Sequence, residues 1–179
     1  MDKKVNRREF LKGLPFFSSL REKLAEERKE ERKEEVEKIN LIRPPYSQGA
    51  DFSLCKECDG KCASVCEEGI IKIFKDGSPY IAFNGKGCNF CGDCAEACEY
   101  GVLDINKPAR IEMTIEINTE KCIAWHNVMC FSCKEPCLEN AIKFEGLFRP
   151  TIDSSLCNGC GYCVSVCPSG AIDYYPLEN

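Results

Sequence analysis

Apolar and polar positions divide the chain into unlike stretches. Residues 21–38, REKLAEERKEERKEEVEK, are almost wholly charged, and only Leu24, Ala25 and Val36 are apolar. Good helix formers fill this stretch, yet three apolar side chains cannot make a stripe that packs on a core. Favourable i,i+3 pairs such as Glu26 with Lys29 stand against like-charged i,i+4 pairs such as Glu26 with Glu30. Each pair moves helix stability by only about 0.2–0.5 kcal/mol, so the two sets largely cancel. The expectation is a solvated, partly helical spacer. IRPPYS (42–47) closes it, because a residue preceding proline avoids the α region.

From Asp51 onward the apolar positions come in short, recurring runs. PYIAFN, MTIEIN and RPTID read as strands. Pairs of apolar residues recur at Ile70-Ile71, Val102-Leu103, Ala141-Ile142 and Ala171-Ile172, and each pair follows Gly69, Gly101, Asn140 or Gly170. Glycine and asparagine take positive φ most readily and end short helices. Ahead of each pair lies a group of cysteines whose first members are Cys55, Cys88, Cys122 and Cys157, a period of 33 to 35 residues. Such regularity marks a duplicated unit, here strand, cysteine loop, short helix, turn and strand. Asp51, Asn84, Asn118 and Asp153 stand four residues before the first cysteine each time. No apolar run approaches the roughly 18 residues of a membrane span.

Composition narrows the chemistry. Sixteen cysteines in 179 residues are about 9 %, a range in which disulfides or metals replace part of an ordinary core. No recognisable secretory signal precedes them, which favours thiols kept reduced. The single histidine, His126, leaves little room for histidine acid–base catalysis or mixed Cys/His metal sites. Residues 1–50 carry 13 basic and 10 acidic side chains, so the net charge of −5 leaves −8 for residues 51–179. That acidic surplus argues against nucleic-acid binding. The basic excess lies at the N-terminus, where NRREFLKG (6–13) is similar to a twin-arginine export signal built on Arg7 and Arg8. Only GLPFFSSL follows, short and weakly apolar, with no small-residue cleavage site. A retained cytoplasmic arm is expected, with cleaved export as the alternative.

Cysteine spacing selects the ligand. Zinc knuckles bring together two C-x-x-C pairs from a dozen or more residues apart, because four ligands must surround one small ion. Three cysteines within a seven-residue loop and a fourth after three intervening residues suit a cubane, and in the run C-x2-C-x2-C-x3-C-P the fourth thiol reaches the other cluster. The second motif (Cys88, Cys91, Cys94, Cys98) and the fourth (Cys157, Cys160, Cys163, Cys167) have that spacing. The first (Cys55, Cys58, Cys62, Cys66) widens the second gap by one residue, and the third (Cys122, Cys130, Cys133, Cys137) stretches the first gap to seven. Sixteen cysteines divide into four [4Fe-4S] clusters with none left over. If adjacent motifs pair, the ligand sets are Cys55, Cys58, Cys62 and Cys98; Cys88, Cys91, Cys94 and Cys66; Cys122, Cys130, Cys133 and Cys167; and Cys157, Cys160, Cys163 and Cys137. A nested pairing, first motif with fourth and second with third, is the alternative. Phe90, Phe131 and Tyr162 lie between ligands, where they are expected to pack over a cluster. Trp125 and His126, in the stretched gap, are expected to be structural or docking residues rather than iron ligands.

Residues 51–179 resemble tandem bacterial-type ferredoxin domains. The fold this implies is α+β: two tandem ferredoxin-like 2[4Fe-4S] domains with short helices and two-stranded antiparallel sheets, at 51–110 and 111–179, behind an arm and spacer at 1–50. More closely, IRPP before the first motif, CNFC at 88–91, the CIA…VMC gap, EPC at 135–137 and SLCNGCG at 155–161 resemble the NapF family of ferredoxin-type accessory proteins of periplasmic nitrate reductase. Glu99 departs from that pattern, standing where proline often follows the fourth cysteine. The resemblance implies a cytoplasmic protein that contacts the molybdenum-containing nitrate reductase catalytic subunit before export. It would assist iron–sulfur maturation there or supply electrons for it, with no turnover of its own. The sequence shows no G-x-G-x-x-G, no P-loop and no nucleophile–base pair. An electron-relay subunit of a quinol-linked or molybdenum oxidoreductase is the rival reading, and a zinc-bound interaction module a third.

Overall fold

A computed structural model describes residues 41–177 together with Lys23, Glu26 and Arg28. The chain divides into two compact units, Met1–Asn40 and Leu41–Asn179. In the first, Lys23, Glu26 and Arg28 are helical and exposed, which suits a charged stretch without an apolar stripe. The remainder of the spacer, and the Arg7-Arg8 signal, lie outside the described residues.

The second unit is built from short elements, as the turn-rich sequence requires. Helices α1 (Lys61–Ser64), α2 (Asp93–Glu96) and α3 (Tyr162–Val166) follow glycines at Gly60, Gly92 and Gly161. Strand β1 (Ile71–Ile73) pairs antiparallel with β2 (Pro79–Ile81), Ile71 opposite Ile81. Strand β4 (Ile142–Glu145) pairs with β5 (Phe148–Ile152), Ile142 opposite Ile152, and β3 (Met113–Ile117) pairs with β6 (Ile172–Pro176), Ile117 opposite Ile172. Each sheet has two strands. The β3–β6 pair joins the segment before the third motif to the segment after the fourth and so closes that half of the unit on itself. The other half closes similarly: the Ile81 N–H donates to the Ile42 carbonyl at 2.8 Å and the Asp104 N–H to the Tyr46 carbonyl at 3.0 Å.

The third motif departs from the repeat. No helix forms between Cys133 and Cys137; turns replace it, because Pro136 has no N–H to continue a helical ladder. A 3₁₀ turn, Ile123–His126, takes up the stretched gap instead.

All eight apolar residues that follow the motifs are buried, from Ala171 at 0 % exposure to Ile172 at 7 %. Ile70, Ile71, Leu103, Ile142 and Ile172 join one core with Phe83, Ile111, Ile115 and the thiols of Cys62, Cys94, Cys133 and Cys163, and Ala171 lies in a smaller one with Cys122 and Ala124. The IRPPYS stretch also belongs to this core. Ile42, Pro44, Pro45 and Tyr46 are buried, and the Arg43 guanidinium donates to Ser78 Oγ at 3.0 Å and to the Pro79 carbonyl at 2.9 Å. Two prolines fix this extended segment against the β1–β2 hairpin at little entropic cost.

Candidate metal centres

Three of the four cysteine loops start on capping contacts that the recurring polar residues supply. Asp51 accepts from the Ser53 N–H at 2.9 Å, Asn118 from the Glu120 N–H at 3.1 Å, and Asp153 from the Ser155 N–H at 3.0 Å. These Asx turns start the loops. Inside the second and fourth loops, Asn89 accepts from the Cys91 N–H and Asn158 from the Cys160 N–H, each at 3.1 Å. At the far end Gly69, Gly101, Asn140 and Gly170 all have positive φ, between 51° and 65°, and their N–H groups return to the carbonyls of Cys66, Cys98, Cys137 and Cys167. These turns close each loop just after its fourth cysteine.

Three hollows receive these thiols. One is lined by Cys55, Cys58, Cys62 and Cys98, with Gly60, Pro79 and Leu103. A second is lined by Cys88, Cys91, Cys94 and Cys66, with Tyr46, Ile70 and Phe90. A third is lined by Cys157, Cys160, Cys163 and Cys137, with Ile142 and Tyr162, and Cys88 reaches its edge. The remaining four thiols are neighbours as well: Cys133 lies within electrostatic reach of Cys130, Cys122 and Cys167. In every group three thiols come from one motif and one from the motif beside it.

The electrostatics of these groups call for positive charge. Burial, then the charges of neighbouring thiolates, pushes Cys62 and Cys133 up to about 11, and Cys94 and Cys163 up to about 12. Burial also raises Cys88 to about 11. Four thiolates so placed repel one another and resist ionisation until cationic iron neutralises them. At Cys167 burial is outweighed by donors, among them the Ala171 N–H at 3.2 Å from its sulfur, and the thiol's pKa falls. The Leu103 N–H makes the corresponding contact to Cys98 at 3.4 Å. All sixteen cysteines are free, so the donors are thiols rather than disulfides. Among the described residues no three Cys, His, Asp or Glu groups gather tightly enough to hold a single metal ion. Groups of four thiols in this arrangement suit a larger inorganic core.

The aromatic residues divide in role. Phe90 lines the second hollow, and Tyr162 the third. Phe131 packs on Phe144 with ring centroids 4.9 Å apart. Trp125 donates from Nε1 to the Pro150 carbonyl at 3.1 Å, and His126 Nε2 lies 2.9 Å from the Glu120 carbonyl. Both therefore hold the stretched gap in place. Glu99 pairs with Lys61, so the residue that replaces proline ties the second motif to the first. Both partners are exposed, and such pairs add little stability.

Sequence reasoning did not find Tyr46. Its hydroxyl donates to the Phe90 carbonyl at 2.8 Å, and Phe90 itself stands at φ 56°, where a side chain is strained. Phe90 occupies the place in its motif that Gly159, at φ 78°, occupies in the fourth.

A fold of duplicated cysteine loops, short helices and two-stranded sheets around thiol groups defines a ferredoxin-type iron–sulfur protein. Residues 54–102 match the 4Fe-4S dicluster domain family, and residues 150–173 match the 4Fe-4S binding domain family. The chain is 34 % identical over 139 residues to the ferredoxin-type protein NapF of Escherichia coli K12, covering 74 % of this chain and 84 % of that protein. Its identity to NapF of Haemophilus influenzae is also 34 %, over 77 % of this chain and 81 % of that one. The ferredoxin-type protein NapG of E. coli K12 is 29 % identical over 76 % of this chain and 71 % of its own length. The chain belongs to the NapF family of ferredoxin-type proteins.

Proposed function

We propose that the protein carries four [4Fe-4S] clusters on the adjacent-pair ligand sets and serves as a cytoplasmic accessory and electron-transfer factor for maturation of the nitrate reductase catalytic subunit. The observation that supports it best is the exchange of the fourth thiol. Cys98 lies with the first motif and Cys66 with the second, while Cys137 lies with the fourth and Cys167 neighbours the third. Two ferredoxin-like halves, 51–110 and 111–179, are part of the same proposal, and the exchange supports them. When bound, such clusters accept and release single electrons. The chain's own contribution is to ligate them, to hydrogen-bond the sulfurs of Cys98 and Cys167 from backbone N–H groups, and to pack Phe90 and Tyr162 against their hollows. The acidic surface of residues 51–179 favours the oxidised state and low potentials. The partner follows from kinship with NapF and from the sequence resemblance described above.

Three measurements test this reading. Anaerobically purified full-length protein should contain about sixteen iron atoms and sixteen sulfides per chain, the content of four cubanes, and give four reducible centres by EPR. It should form a transient complex with the apo catalytic subunit, lost once that subunit is loaded. Stable co-purification with a large redox subunit or a membrane anchor would establish the relay-subunit reading instead, and a colourless zinc protein would refute both. Residues 1–40 fused to a reporter should remain inside the cell; export dependent on Arg7 and Arg8 would overturn the cytoplasmic assignment.

A further inference from the structure

The second and fourth motifs meet through their backbones. The Cys88 N–H donates to the Cys160 carbonyl at 2.7 Å, a link between residues that the adjacent-pair scheme puts in different halves. Glycines make the approach possible. A Cβ at Gly87 would lie 2.7 Å from both the Tyr162 ring and the Tyr162 backbone nitrogen, and 2.8 Å from the Cys160 carbonyl oxygen. A Cβ at Gly161 would lie 2.3 Å from the Phe83 ring. Further contacts fix the same junction: Arg110 donates to the Cys157 carbonyl at 3.3 Å, and Phe83 meets Tyr174 edge-on at 5.2 Å. Cys88 also lines the hollow of the fourth motif beside Cys157, Cys160, Cys163 and Cys137.

We infer that the Gly87-Cys88 and Cys160-Gly161 segments form an electronic junction between the two halves, so that the four cluster sites make one chain in the order first, second, fourth, third. This rests on the four-cluster reading and adds to it how the sites are wired. Across the junction the path runs from the Cys88 sulfur along its own side chain and N–H, over one hydrogen bond, into the Cys160 carbonyl and out to the Cys160 sulfur. One electron crosses at a time: one site is oxidised as its neighbour is reduced, and no bond forms or breaks. A low-potential one-electron donor supplies the electron at one end. The sites of the first and third motifs become the two termini, so a donor and an acceptor can dock at opposite ends.

EPR of the full-length holoprotein, fully reduced with dithionite, tests the wiring. Iron and spin counts come first. A wild-type protein lacking the second or fourth cluster would overturn this inference together with the reading it rests on. With all four centres present, the wild-type spectrum should show coupling beyond that of two independent pairs; a spectrum that is the simple sum of two pairs overturns the junction and leaves the four-cluster reading intact. Gly87→Val, with its iron complement unchanged, should lose the extra coupling and revert to two pairs. Coupling retained in Gly87→Val also overturns the inference. Gly146→Ala is the control, since a Cβ there meets nothing within 4 Å, and its spectrum should match the wild type. If Gly87→Val fails to hold iron, the wild-type spectrum alone decides.

Discussion

Replacing Tyr46 with phenylalanine removes one oxygen and tests how the second loop is held. The Tyr46 side chain is buried, at 4 % exposure, and its hydroxyl donates to the Phe90 carbonyl at 2.8 Å. Without that donor the carbonyl loses its partner in a part-buried setting, at a cost of about 1–3 kcal/mol. Phe90 adds to the effect, because its left-handed conformation costs about 1–2 kcal/mol that surrounding contacts must hold in place. If opening of this loop limits iron release, Tyr46→Phe should speed it roughly 5- to 150-fold. The assay is anaerobic transfer of iron to a strong chelator, followed by loss of visible absorbance, with EPR of samples withdrawn along the course. About a quarter of the iron should leave early, the share of one cluster in four, while the other three clusters keep their wild-type rate. Adding Phe90→Gly in the same chain should restore part of the loss, since glycine bears no penalty at that φ. Burial, reinforced by the neighbouring thiols, raises the Tyr46 pKa above 10.0, so the hydroxyl remains a donor throughout the physiological range. Because the folded-state value is raised, the hydrogen bond contributes fully below pH 10 and is lost only as pH climbs through the folded value. The difference between wild type and variant should therefore be flat from neutrality to about pH 10. Uniform iron release at the wild-type rate, or no recovery on adding Phe90→Gly, would refute the reasoning.

Cys66→Ser should shift the EPR signal and potential of the second cluster first; damage to the fourth motif's cluster instead would show nested pairing. Removing all iron with chelator should abolish the cooperative fold, because the thiols of Cys62, Cys94, Cys133 and Cys163 are part of the core and the ligand bonds that hold them there are lost with the metal. Dispersed amide NMR signals from an iron-free sample would contradict this. Gly77→Ala should weaken the first loop alone: its Cβ would lie 2.6 Å from the Cys55 carbonyl oxygen at a φ of 86°. Faster iron loss from that site, with the third and fourth clusters at wild-type rates, is the expected result of chelator kinetics.

Local features were the most legible in the sequence. The positive φ at Gly69, Gly101, Asn140 and Gly170, the buried apolar pairs behind them and the strands at PYI, MTIEI and RPTI all follow from short-range patterns. The recurring Asp or Asn before each loop was visible as a regularity, and its Asx turns supply the reason at Asp51, Asn118 and Asp153. What escaped depends on partners distant in the chain. The prolines of IRPPYS signal a helix boundary in the sequence, but its burial requires Ser78, Ile81, Phe90 and Asp104, which lie 35 or more residues away in every one of these contacts. The missing helix of the third motif was foreseeable from Pro136, whose effect the repeat pattern obscured. Nothing in the stretch GKGC distinguishes Gly87 from an ordinary loop glycine until Tyr162 is placed against it.

The exchanged fourth thiol also sets a schedule for biosynthesis. In the proposed ligand sets the first site cannot close until Cys98 emerges, 43 residues after Cys55, and the third waits from Cys122 to Cys167. At about 5–20 residues per second, the first thiol of each of these two sites waits on the ribosome for roughly 2–9 seconds. During that interval the thiols can be oxidised or can take up a stray metal. Synthesis of this protein therefore depends on a reducing, oxygen-poor cytosol more than the closed, finished molecule does. A ribosome that stalls between the first and second motifs leaves three cysteines with no means of completing their site.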